Sequence, residues 1–148
     1  MRKYIFIGMG GFLGAAARFA VKNIHIYHYH GNIPLNTLII NVSGSFILAL
    51  LLTIAFEIFS IDTDIRLGIA TGFLGAYTTF STLCRETVSL MMDGHYYSAV
   101  SYVIISTVLG IAAVYLGVLL ARGVFAKFKA SEAEDAMKDF TETEGEAE

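Results

Sequence analysis

The chain has too little charge for an ordinary soluble domain. Of its 148 residues 16% are charged and 55% hydrophobic, with a mean hydropathy of +0.63. It has one cysteine, Cys84, which excludes an intrachain disulfide; its apolar neighbourhood suggests a small core residue. No acid falls deep inside an apolar run, since Glu57 and Glu86 both stand towards the ends of theirs. Proton-coupled and cation-exchange transport normally use a titratable group at membrane depth, so this lack weighs against both. No nucleophile–base pair, phosphate loop or nucleic-acid patch is present, so neither an enzyme nor a nucleic-acid partner is indicated.

What the chain has is four apolar runs, at residues 4–21, 35–59, 67–92 and 99–121. They are roughly 18, 25, 26 and 23 residues long, against about 20 needed to cross the hydrocarbon of a bilayer. The expectation is an all-α membrane protein with four transmembrane helices and short connections. A signal peptide would also explain Arg2 and Lys3 before the first run, but three further spans make an uncleaved helix the simpler reading. Residues 131–148 carry eight acids and one base, a net of −7, leaving +4 on the rest. This divides the chain into a transmembrane domain, 1–125, and an acidic, disordered tail, 126–148. With the N-terminus inside, six cations face the cytoplasm and three the exterior, a weak bias compatible with insertion in both orientations.

The third run contains Gly72-Phe-Leu-Gly-Ala-Tyr-Thr-Thr-Phe-Ser-Thr-Leu83. Two glycines followed by adjacent β-branched threonines make a poor continuous helix, so the third helix should break in mid-membrane. Unpaired backbone at that depth is tolerated only where protein or a cavity satisfies it, which is why such breaks mark ion or substrate sites. The carbonyls ending the first half-helix suit a small dehydrated cation; the amides opening the second suit an anion. Thr37, Asn41 and Ser45 recur every four residues on one face of the second run, and Tyr102 and Ser106 do so on the fourth. Ser and Thr also glue helices together, but two aligned polar faces opposite a break resemble a wet path. A lining of donors without fixed negative charge favours a small anion. Arg18 and Arg85-Glu86 suit either snorkelling anchors and a local charge pair, or a mouth that concentrates anions.

Gly11-Phe-Leu-Gly-Ala15 recurs as Gly72-Phe-Leu-Gly-Ala76, an offset of 61, and both glycine runs offer flat faces for close helix contact. The recurrence suits either a duplicated hairpin or the common composition of membrane helices. His25, His28 and His30, with Tyr27 and Tyr29, read as an interfacial turn; their spacing also suits a metal, but no Cys or carboxylate is near.

Three ordered motifs carry a resemblance: Gly10-Gly-Phe-Leu-Gly-Ala-Ala-Ala-Arg18, Asn41-Val-Ser-Gly-Ser-Phe46 and Gly72-Phe-Leu-Gly-Ala-Tyr-Thr-Thr-Phe-Ser-Thr82. Over about residues 1–125 the chain resembles the Fluc (CrcB) family of fluoride channels. The resemblance implies a four-helix subunit of the inner (plasma) membrane that pairs antiparallel, in dual topology, with a copy of itself. It implies two fluoride pores and a structural sodium ion at the dimer centre, held by the backbone carbonyls of Gly75 and Thr78. By the same resemblance Asn41 is the pore amide, Phe80 the pore-facing aromatic, Tyr102 the aromatic hydroxyl of the fourth span and Arg18 the vestibule arginine. Ser81, Thr82, Thr37 and Ser106 would supply a hydroxyl track. The family pattern continues Phe-Ser-Thr-Phe, whereas Leu83 stands here for the second phenylalanine; a Leu lacks the positive ring edge that can face an anion. A small multidrug exporter is the runner-up, but residues 4–21 lack the deep carboxylate it would need. A non-transporting membrane interaction subunit would use the glycine faces for assembly instead.

Overall fold

The structure is a computed structural model that describes residues 1–24, 31–58 and 62–145, with side chains at 1–24, 31–56 and 62–127. The expected histidine turn, residues 25–30, lies outside the described residues. The regular structure of those described is all helical, with no strand among them.

Three helices are long and apolar enough to cross a membrane: α1 (Arg2–Lys22), α2 (Leu35–Thr53) with the π-helical turn Ile54–Ile58 that extends it, and the apolar part of a final helix. α1 ends where Asn23 folds its side-chain amide back to donate to Phe19 O at 2.9 Å, stopping the last turn. α2 opens directly after the chain's one proline, Pro34, which is tolerated only at a helix start.

The third apolar run is built in pieces. It starts with α3 (Thr63–Leu67), capped by Asp62, whose Oδ1 accepts from Asp64 N at 2.9 Å and Ile65 N at 3.4 Å. A π-helical stretch, Gly68–Leu74, and the single turn α4 (Gly75–Tyr77) follow. Thr78 and Thr79 are extended, at φ −75°, ψ 157° and φ −150°, ψ 108°, and α5 (Phe80–Met92) begins after them. The first helical piece therefore ends at Tyr77, and Thr78 still returns its N–H and its hydroxyl to Leu74 O.

α5 closes on Asp93-Gly94-His95. His95 N donates to Leu90 O at 2.8 Å and Gly94 N to Met91 O at 3.1 Å, with Gly94 at φ +80°, the left-handed position of a Schellman turn. The chain then enters α6 (Tyr96–Gly145). This helix runs unbroken past residue 125, where the sequence suggested a boundary and a disordered tail. Ala, Glu, Lys and Met are good helix formers, and neither Gly nor Pro interrupts them between 124 and 144. Fifty residues span about 75 Å, more than twice the roughly 30 Å of hydrocarbon, so the acidic part beyond Lys127 projects into water.

Packing follows the small residues. α1 lies along Gly68–Leu74 so closely that a Cβ on Gly72 would stand 2.6 Å from Ile7 O, and one on Gly68 2.9 Å from Phe6 Cβ. Gly10 and Gly14 meet Gly68 O and Phe73 O in the same seam, which makes the two Gly-Phe-Leu-Gly-Ala runs each other's partner. On the opposite side α2 packs against α6, where Gly117 admits the backbone of Phe46 and Leu50. Two small cores result: Ile40, Leu74 and Tyr77 between α2 and the interrupted segment, and Leu83, Leu90, Ala99 and Tyr102 between α5 and α6. Cys84 is not in either; it is exposed on the protomer.

Candidate functional site

Asn41 and the Thr79 peptide form the centre of the site. Asn41 Oδ1 accepts from Thr79 N at 2.8 Å, and Asn41 Nδ2 donates to Thr79 O at 3.1 Å. The side chain of α2 thus takes the place of the ladder that the interrupted helix lost. Thr79 also caps α5: its Oγ1 accepts from Thr82 N at 3.2 Å and donates to Thr82 Oγ1 at 2.8 Å. Gly44, one turn after Asn41, lies against the side chains of Thr78 and Tyr77, where any side chain would collide. Tyr77 is held in turn by Ser43, with the two hydroxyl oxygens 3.0 Å apart, and stacks on Phe73.

Thr79 divides two cavities. The first, about 340 Å³, is lined by Asn41, Ser45, Phe80, Leu83 and Ser106 among others, and so gathers five of the sequence's polar-face and motif positions. Ser106 Oγ is buried there without a hydrogen-bond partner, a donor left over. Asn41 Nδ2 carries two hydrogens and spends one on Thr79 O. Ser45 instead donates to Asn41 O at 2.8 Å, the ordinary backbone bond one turn back. Phe80 is 79% exposed on the protomer beside this space, while Leu83 is 9% exposed and packs into the α5–α6 core.

The second cavity, about 470 Å³, is lined by Arg18, Lys22, Thr37, Ser81, Thr82 and Arg85 with Ile40 and Thr79. Three cations converge on it, and none is bridged to a carboxylate among the described residues, so it attracts anions.

Thr37, expected on the hydroxyl track, and Tyr102, expected as the aromatic hydroxyl of the fourth span, both bond to Glu86, and Thr37 also lines the second cavity. Tyr102, fully buried, donates to Glu86 Oε2 at 2.9 Å, and Thr37 donates to Glu86 Oε1 at 3.0 Å. Glu86 is the residue that sequence reasoning missed, having placed it in a local pair with Arg85. Neighbours in a helix point apart, so Arg85 turns to the second cavity and Glu86 to α2 and α6. Its spacing of four from Thr82 was the available signal.

The chemistry at the break suits a cation as well as an anion. Thr79 N–H goes to Asn41, not to the Gly75 carbonyl four residues back, and Thr78 at ψ 157° turns its carbonyl away from the helix axis. Gly75 is exposed on the protomer. Hard oxygen donors of this kind fit an alkali cation. No cluster of three His, Cys, Asp or Glu side chains that could hold a metal occurs among the described residues.

An all-helical protein with three helices long and apolar enough to cross a bilayer among its described residues, and a cation-lined cavity beside the extended Thr78–Thr79 pair, is a multi-pass membrane protein. Residues 5–118 match the family model described as CrcB-like protein, Camphor Resistance (CrcB), and the chain belongs to that family, whose members are not enzymes. It is 44% identical over 117 residues to the fluoride-specific ion channel FluC of Methylococcus capsulatus, covering 78% of this chain and 51% of that protein. Proteins of the same name from Sulfurihydrogenibium sp. (38% over 123 residues) and Thermosipho melanesiensis (40% over 124 residues) are covered over 98% of their length, against 82% and 83% of this chain. The chain thus spans about half of the first relative and nearly all of the other two.

Proposed function

We propose that the chain is a fluoride-selective channel for passive export of cytoplasmic fluoride. Its working form is a dual-topology, antiparallel homodimer of four-span subunits in the bilayer, with two pores. The observation that carries this reading is the placing of unspent donors, from Asn41 and Ser106, beside the exposed ring of Phe80 and one residue away from a cavity with three cations. Fluoride is small and strongly hydrated, and an amide, a hydroxyl and a ring edge can replace its water in steps. Arg18 raises the local anion concentration at the mouth; Ser81 and Thr82 continue the hydroxyls inward from it. The names of the relatives point to the same ion.

The remaining span, third in chain order, is the interrupted segment from α3 to α5, with its break at membrane depth. The exposure of Phe80 and of Gly75 on the protomer supports a second copy covering them. Where that copy meets this one, the carbonyls of Gly75 and Thr78 would hold the structural sodium, which supplies a fixed positive charge that ties the two breaks together. The channel domain comprises residues 1–125, with the acidic segment as a solvated tail.

Fluoride efflux from liposomes containing the purified chain tests the function. The expected result is fluoride release with chloride retained; equal passage of both overturns the selectivity.

A further inference from the structure

We infer that Asn41, through its two bonds to the Thr79 peptide, is the positioning residue that frees the Gly75 and Thr78 carbonyls for a cation. This rests on the sodium part of the reading above and goes beyond Asn41 as an anion donor. In an uninterrupted helix the N–H of residue 79 would close on the carbonyl of residue 75. Here that N–H donates to Asn41 Oδ1 instead, with the nitrogen 2.8 Å from the oxygen, which releases the Gly75 oxygen. The other half of the amide draws Thr79 O to 3.1 Å, which keeps residues 78 and 79 extended and the Thr78 carbonyl off the helix axis. Thr78 adds nothing to hold Gly75, because both its donors lie on Leu74 O, at 3.0 and 2.9 Å.

Three features make the arrangement a device for the cation and not simple repair of a broken helix. Repair would need only one bond for each orphaned group, and a water or hydroxyl serves as well. Asn41 takes both groups of one peptide, a match that fixes the plane of that peptide and so the direction of the backbone on either side. The backbone of Thr79 is also buried and capped by its own side chain through Thr82, so the clamp acts on a rigid element. Lastly, Gly75, one of the two residues whose oxygens it releases, is exposed on the protomer, where a partner copy would sit.

The test is thermal unfolding of the purified full chain in detergent, titrated with sodium against N-methyl-D-glucamine at constant ionic strength. The parent should gain stability with sodium. Asn41→Ala should raise the sodium concentration for half-maximal stabilisation by about tenfold or more, the loss usual when a group that orients metal ligands is removed. Thr87→Ala, which removes a buried bond to Leu83 O far from the break, should lower the melting temperature and leave that concentration unchanged. Asn41→Asp keeps the acceptor for Thr79 N–H but gives up the donor to Thr79 O, so it should still respond to sodium with a half-point raised above the parent's, and it serves as the readout should the alanine variant fail to fold. An unchanged half-point in Asn41→Ala, or complete loss of the response in Asn41→Asp, overturns the inference. A parent indifferent to sodium overturns it together with the sodium reading, while fluoride efflux from the same preparation continues to stand or fall by itself.

Discussion

Tyr102 and Thr37 donate to opposite oxygens of one carboxylate, Glu86, at 2.9 and 3.0 Å, and so tie α6 and α2 to α5. The tie lies on the far side of the break from the α1 seam. It makes the second half of the interrupted helix a member of the α2–α6 layer, while the first half belongs to α1.

Tyr102→Phe and Thr37→Val should each lower unfolding stability by about 1.5–3 kcal/mol, the usual worth of a bond to a charged group. Because both serve the same carboxylate, the double variant should depart from the sum of the singles by about 0.5 kcal/mol or more. Urea titration of the four proteins in detergent checks this. Strict additivity would mean that the two bonds act independently.

Asp62 should give the protein a pH dependence at its other end. Desolvation alone would raise this carboxyl, but the N–H groups of Asp64 and Ile65 and the Arg2 guanidinium outweigh it and hold it below its ordinary value. A carboxyl depressed in the folded state adds stability above the unfolded pKa of about 4 and loses it as pH falls through the folded one. Asp62→Asn should therefore melt lower than the parent at pH 7, with the gap closing below about pH 4. A gap that persists in acid would rule out the carboxylate as its cause.

The glycine seam predicts a contrast. Gly72→Ala puts a methyl 2.6 Å from Ile7 O and should cost about 1–3 kcal/mol through forced separation of the helices. Gly123→Ala meets nothing within 4 Å in α6 and should be neutral or stabilising by up to about 1 kcal/mol. Melting temperatures of the two variants decide it.

Leu83→Phe should raise fluoride flux. Leu83 borders both the α5–α6 core and the first cavity, so a ring has space on the cavity side and brings a positive edge one turn from Phe80. Flux is to be compared at equal dimer content. Equal or lower flux would mean that the larger ring overpacks the core and that Leu83 is no defect.

The long apolar helices were legible in the sequence because unbroken apolar length is a local property; the extended pair Thr78–Thr79 stands where glycines adjoin β-branched residues. Helical period places Asn41 on one face with Thr37 and Ser45, whereas its bonds to the Thr79 peptide depend on how α2 packs against residues 78–79. Glu86 was illegible for the opposite reason, since its partners come from two other elements and only tertiary packing unites them. The π-helical turns at Ile54–Ile58 and Gly68–Leu74 left no sign either, as one extra residue per turn changes hydrogen bonding but not composition. The course of α6 past residue 125 rests on helix propensity, whereas the boundary expected there was drawn from charge.

The bond between Asn41 and residue 79 is read from one side only. Asn41 contributes its side chain, but Thr79 contributes its main chain, which every amino acid except proline provides in full. Position 79 is therefore free to drift among residues that cap a helix, Ser, Asp or Asn, and keep the contact. Position 41 has no such latitude, because a donor and an acceptor on adjacent atoms at that reach are found together only in asparagine. In a library of random substitutions the two halves of a single interaction would separate into one silent site and one intolerant site.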